Sequence, residues 1–105
     1  MAIRWAALTP EQIDISGVHE AFSAQALGVL RELPNQLGGF VIPDDKLTPS
    51  GGAVAIGHPF GANGIRYFLT LATELKERGG RYGVIGVCIG SAQGVAVVLE
   101  NPNAA

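Results

Sequence analysis

Three side chains in this sequence could move protons near neutral pH or act as nucleophiles: His19, His58 and Cys88. Imidazole titrates close to neutrality and can give or take a proton there. A thiol becomes a base or a nucleophile when a cation or backbone dipoles lower its pKa. His58 stands in the stretch Gly51-Gly52-Ala53-Val54-Ala55-Ile56-Gly57-His58-Pro59-Phe60-Gly61-Ala62-Asn63-Gly64. Its glycines leave little bulk around the ring and let another group approach the main chain. Pro59 biases His58 toward an extended conformation. Gly90 follows Cys88 closely and offers an unshielded N–H that could stabilise a developing oxyanion.

Each of these residues also has a plainer reading. Cys88 lies in an apolar run, and free cysteine is commonly a small core residue. His19 alone reads as a capping or hydrogen-bonded structural group. His58 is harder to read as packing, because few core positions need Gly57, Pro59 and Gly61 around them. Asn63 and Gln93 read as polar turn residues, and Glu20 suits a helix N-terminus. The glycine-rich stretch is not a phosphate loop, since no Gly-Lys-Ser/Thr follows, and it lacks the dinucleotide fingerprint. His19, Glu20, His58 and Cys88 show no diagnostic ligand spacing, so no metal is expected.

The elements that must position these groups alternate in type. Met1 to Leu8 is short and apolar and reads as the tail of a helix. Thr9-Pro10-Glu11-Gln12 has the form of a helix start, with Thr9 and Gln12 as a capping box and proline at the first helical position. Ile13, Ile15 and Val18 alternate with small or polar residues, which predicts a strand ending at His19-Glu20. Residues 20–33 predict a helix with Phe22, Ala26, Leu30 and Leu33 on one stripe. Ala24, Leu27 and Val29 widen that stripe, so both faces are expected to be covered, and Pro34 is its expected stop.

Residues 35–50 predict an extended loop, with Phe40-Val41-Ile42 dipping into the core. Its length points to a binding site or an interface. Ala53 to Ile56 predicts a short strand. A helix is expected from Gly61, with Ile65, Phe68, Leu69, Ala72 and Leu75 inward, and Arg66, Thr70, Thr73, Glu74, Glu77 and Arg78 outward. Glu74 and Arg78 can pair across one turn, and Gly79-Gly80 caps the end. Val84 to Ile89 is apolar on both faces, as in an interior strand. A short turn then joins it to Val95–Leu99 as an antiparallel hairpin. The order is that of an α/β fold. Such folds bind ligands at the carboxyl ends of parallel strands, where His19, His58 and Cys88 are expected.

Composition bounds the rest. A chain of 105 residues makes one domain. Hydrophobic content of 48% against 15% charged excludes an intrinsically disordered chain. It is apolar for so small a unit, which points to a partner surface or to a compact, all-buried sheet. A net charge of −2 argues against nucleic-acid binding. No apolar run reaches the ~20 residues of a membrane span, and the N-terminus lacks the order of a secretory signal. A lone cysteine excludes an internal disulfide and fits a reducing compartment, with the cytoplasm as the expected location. Fifteen glycines without a period predict many tight turns.

Three motifs in order then resemble one family. His19-Glu20-Ala21-Phe22 is similar to the HEAF/NEAF motif of thiolases, which are acyl-CoA acyltransferases. Gly51 through Arg66 resembles their GGxxAxGHPxGAxGxR signature. Cys88-Ile89-Gly90 resembles their CxG motif. Together these motifs cover nearly the whole chain. Ser50 departs from the asparagine that many relatives carry, which changes loop bonding more than chemistry.

The resemblance implies the C-terminal half of a thiolase-like layered α/β fold. That half is a mixed sheet with an antiparallel C-terminal hairpin. It is incomplete at its N-terminal edge, because the family's central first strand precedes Met1; a partner could fill the gap, or the strands could close up. Residues 1–105 would form this one partial domain.

The resemblance also implies roles. His58 would accept the proton of a nucleophilic cysteine and help bind a thioester oxygen. Cys88 would be the acid/base at the substrate α-carbon, and Gly90 N–H would serve the oxyanion hole of acyl transfer. His19 would serve the oxyanion hole for the enolate, directly or through a water; histidine there is the form of the fatty-acid β-oxidation branch. Phe22 and Phe60 would contact substrate. The implied reaction is ping-pong: thiolytic cleavage of a 3-ketoacyl-CoA or condensation of acetyl-CoA. Coenzyme A enters as substrate thioester, and no resident cofactor is expected. The only cysteine matches the acid/base and not the nucleophile. The expected partners are therefore acyl-CoA or CoA and an N-terminal thiolase half or a homo-oligomer. The reading of a different class is a truncated, non-catalytic thiolase-like interaction or scaffold domain.

Overall fold

The computed structural model describes residues 1–104. Its helices are α1 (Ala2–Trp5), α2 (Ser23–Gln36), α3 (Ala53–Ile56) and α4 (Asn63–Arg78), and its strands are β1 (Ile15–Val18), β2 (Tyr82–Ile89) and β3 (Gln93–Glu100). The strands form one sheet in the order β1-β2-β3. β1 runs parallel to β2, pairing Ile15 with Gly83 and Val18 with Gly86. β2 runs antiparallel to β3. The mixed sheet and the hairpin match the expectation. Of the two outcomes expected at the gap, the strands close up: β1 bonds to β2 directly. The free edge of β1 is met by Leu47 and Thr48: Thr48 N–H donates to Ser16 O at 2.8 Å, and Val18 N–H to Thr48 Oγ1 at 3.3 Å.

The core lies between α4 and one face of the sheet. Ile15, Tyr67, Leu71, Leu75 and Ile85 form it, with Val87, Val97 and Leu99 packed around them. The buried face of α4 is therefore Tyr67-Leu71-Leu75, a four-residue repeat. The expected stripe shares only Leu75 with it. Ile65 and Leu69 are each 65% exposed. α4 is apolar on more than one face, so periodicity alone does not choose which face meets the sheet. Gly83 makes the choice physical. A Cβ built there would lie 2.7 Å from Leu71 Cδ1, so a bare strand backbone admits Leu71.

Glu74, expected outward, is buried. Its carboxylate accepts from Arg78 Nε at 2.6 Å, the pairing that the spacing predicts, and from the Ser50 hydroxyl. Ser50 thus ties the glycine-rich loop to α4. Gly79 ends the helix in the left-handed conformation at φ 68°.

Five further expectations are corrected. Ala53–Ile56 is a turn of helix and not a strand. Glu20 Oε2 accepts from Val54 N–H at 3.0 Å, and a Cβ on Gly52 would collide with that carboxylate. An acceptor 34 residues away in sequence caps the first turn and overrides the β-branched composition. Thr9–Gln12 does form its box, with Thr9 N–H donating to Gln12 Oε1 at 2.8 Å, but it starts only one 3-10 turn, Pro10–Gln12. α2 runs through Pro34 to Gln36. Proline costs that helix a single N–H, while Glu32 accepts from Asn35 Nδ2 and Gln36 Nε2, both at 2.9 Å, and holds the last turn. No residue of α2 is buried, so the expected cover on both faces is absent, as is burial of Phe40-Val41-Ile42.

The hairpin tip is strained. Ser91 and Ala92 have φ of 65° and 60°, a left-handed region that costs a side-chain-bearing residue roughly 1–2 kcal/mol. Ala92→Gly is therefore expected to stabilise the chain by about 0.5–1 kcal/mol, after the extra chain entropy of glycine. A urea midpoint that falls instead would show that the tip is not held in this conformation.

Candidate active site

β1 and β2 are parallel, so their carboxyl ends share one edge of the sheet. His19 follows β1 directly, and its N–H donates to Gly86 O at 2.9 Å, extending the ladder by one residue. The ring is 3% exposed. α3 and the Gly57 turn then bring His58 over it. The ring centroids of His19 and His58 are 4.5 Å apart, with planes tilted by 50°. Gly57 turns the chain at φ 88°, a conformation that favours glycine. His58 itself is exposed. The Phe60 ring stands edge-on to it at 5.0 Å and is otherwise 88% exposed.

Beneath the pair, α4 supplies a polar floor. Tyr67 Oη lies 2.9 Å from His19 Nδ1, and Asn63 Nδ2 lies 3.4 Å from the same nitrogen. Arg66 bonds Asn63 Oδ1 through Nε at 3.1 Å and Gly57 O through Nη2 at 3.2 Å. Burial holds the His19 ring below the ordinary imidazole pKa. The charges of His58 and then Arg66 push the same way, and Glu20 opposes them. The ring is neutral at neutral pH.

Cys88 and Gly90 lie at the far end of β2 and in the turn after it, and both are exposed. The core reading of Cys88 is therefore corrected. The strand reaches past the end of α4's cover, and its last residues face solvent. Pleating puts Cys88 in the row of Val84 and Gly86, while Ile85 and Val87 belong to the row that meets α4. The structure thus joins His19, His58 and Phe60 into one cluster. Cys88 and Gly90 share the sheet edge with that cluster by register alone. Phe22, just before α2, is 74% exposed.

Tyr67 and Arg66 escaped notice as site residues. Tyr67 belongs to neither stripe expected of its helix. Arg66 reads as a solvated charge. Their positions, three and four residues after Asn63 on α4, were the available signal.

A family model described as the thiolase C-terminal domain matches residues 1–101. The chain belongs to the thiolase C-terminal domain family. It is similar to the peroxisomal 3-ketoacyl-CoA thiolase B of Rattus norvegicus, 46% identical over 102 residues, which cover 96% of this chain and 22% of that protein. It is 46% identical over 97 residues to the 3-oxoadipyl-CoA/3-oxo-5,6-dehydrosuberyl-CoA thiolase of Escherichia coli, covering 90% of this chain and 22% of that one. Among solved structures, human mitochondrial 3-ketoacyl-CoA thiolase superposes with a TM-score of 0.82 at 37% identity, over 95% of this chain and 24% of that one. The same human enzyme in complex with CoA gives 0.81 at 38% identity. The chain spans about a fifth of the length of the thiolases it matches. No helix among the described residues of this thiolase domain is long and apolar enough to cross a membrane.

Proposed function

We propose that this thiolase domain supplies half of an acyltransferase site, active together with an N-terminal thiolase half that carries the nucleophilic cysteine. The observation that carries the reading is the close pair of His19 and His58 at the carboxyl edge of β1. It stands inside a chain whose motifs run in thiolase order. In this reading His58, exposed toward the open side, accepts the nucleophile's proton. The acyl group moves to that cysteine. The departing enolate oxygen is met by an N–H of His19, and the Cys88 thiol gives its proton to the α-carbon. Gly90 N–H serves the oxyanion of acyl transfer. Phe22 and Phe60 are the apolar contacts for substrate.

The substrate class is a 3-ketoacyl-CoA, cleaved by CoA, or acetyl-CoA condensed with itself. The relative solved with CoA supports a CoA thioester. No resident cofactor enters the reaction. A free thiol at Cys88 suits a reducing compartment.

The test is reconstitution. The chain is assayed for CoA-dependent cleavage of a 3-ketoacyl-CoA, alone and fused behind the N-terminal part of the Escherichia coli relative. Cleavage is expected from the fusion only. Cleavage by the chain alone, or a folded fusion without activity, would overturn the reading.

A further inference from the structure

The role given to His19 depends on which ring nitrogen carries the proton, and residues of α4 decide that. Arg66 donates to Asn63 Oδ1 from Nε at 3.1 Å and from Nη2 at 2.5 Å. A guanidinium only donates, so the amide oxygen of Asn63 must face it. The amide nitrogen then faces His19, 3.4 Å from Nδ1, and it too can only donate. Nδ1 is therefore an acceptor and carries no proton. The Tyr67 hydroxyl, 2.9 Å from the same nitrogen, donates as well and makes the shorter bond. Arg66 is itself braced, with its guanidinium 4.7 Å from the centre of the Tyr67 ring. His19, Asn63 and Tyr67 are 3%, 4% and 5% exposed, so water does not compete for Nδ1.

The geometry points to Arg66, Asn63 and Tyr67 as positioning residues that hold His19 in its neutral form with the proton on Nε2, an N–H donor beside His58. This inference rests on the proposed role of His19 in an enolate oxyanion hole and deepens it. A ring whose Nδ1 is occupied by two donors cannot abstract a proton through that nitrogen. Its remaining N–H suits a developing enolate oxygen. Besides Asn63, the titratable and charged groups that face the ring are His58 from the loop before α4, Arg66 and Tyr67 from α4, and Glu20 after β1. Three of the four either disfavour the imidazolium or donate to the neutral ring.

The test is spectroscopic and uses the chain as it is, without substrate. Two histidines make its imidazole nitrogens few enough to assign one by one, with His58→Gln separating the two rings. Long-range proton–nitrogen spectra of histidine-labelled chain are expected to show His19 Nδ1 unprotonated and Nε2 protonated across neutral pH. Tyr67→Phe removes the shorter bond. Its His19 pKa is expected to rise toward the ordinary value, with loss of the single tautomer. Asn63→Asp places an acceptor at Nδ1 and is expected to move the proton to that nitrogen. A wild-type His19 protonated on Nδ1, or a tautomer and pKa unchanged by both substitutions, would overturn the inference. Should either variant fail to fold, the wild-type spectrum still decides. Failure of the reconstituted acyl transfer would sink the acyltransferase reading and leave this tautomer untouched.

Discussion

Leu75→Ala is expected to cost the chain about 2–5 kcal/mol, because it removes most of a packed side chain and leaves a cavity that its neighbours fill only in part. Leu75 is 1% exposed and is the largest fully buried side chain. It touches the start of the sheet as well: a Cβ on Gly80 would lie 3.2 Å from its Cδ2. The core around it is small, five buried residues in one cluster. A domain of this size has only about 5–10 kcal/mol of stability in all, so the loss takes a large share of it. Leu69→Ala is the contrast. Leu69 is 65% exposed, and its truncation is expected to change stability by less than about 0.5 kcal/mol. Urea unfolding followed by circular dichroism separates the two. Equal losses would mean that α4 buries another face.

In the fusion enzyme, Cys88→Ser should separate the two half-reactions. A serine hydroxyl is far too weak an acid to exchange a proton with an α-carbon near neutrality. General acid–base steps contribute roughly 10²–10⁴-fold, and carbon–carbon cleavage should fall by about that factor. Acylation of the nucleophile by a simple thioester should remain within a few-fold of the parent by the same reasoning. His58→Ala should lower both half-reactions by roughly 10²–10⁴-fold, since one imidazole is asked to serve both cysteines. Single-turnover acylation and steady-state cleavage are the two measurements. Equal loss of both in Cys88→Ser would remove the assigned role. A His58→Ala enzyme with normal acylation would do the same for the histidine.

The apolar composition finds its physical meaning in how little is covered. α4 shields one face of the sheet, and α2 and α3 bury no residue at all. Trp5, Phe22, Val54 and Phe60 are each at least 70% exposed. Side chains of this type normally lie inside a larger assembly. The chain spans about a fifth of the length of the thiolases it matches.

Much of the fold was legible in the residues themselves. Alternating Ile15 and Val18, the unbroken apolar run of β2 and the Gly79 cap are local signals, so β1, β2, the hairpin and the end of α4 stand where they were expected. The Glu74–Arg78 pair is equally local. Two of the misreadings depend on a group distant in sequence. α3 is helical because Glu20 caps it. α4 turns Tyr67 inward because Gly83 clears room for Leu71.

The site divides in the same way. Residue types and spacing alone determined which groups could act: two imidazoles, one thiol, a bare Gly90 N–H, and the thiolase order of their motifs. Only the tertiary structure decided how they stand. The parallel pairing of β1 with β2 puts His19 and Cys88 at one edge. The Gly57 turn brings the His58 ring within 4.5 Å of His19. Asn63 and Arg66 stand in the glycine-rich signature and Tyr67 follows it, but their role as a floor is not legible there, because a proton's place on an imidazole depends on donors that meet only when α4 packs against the end of β1.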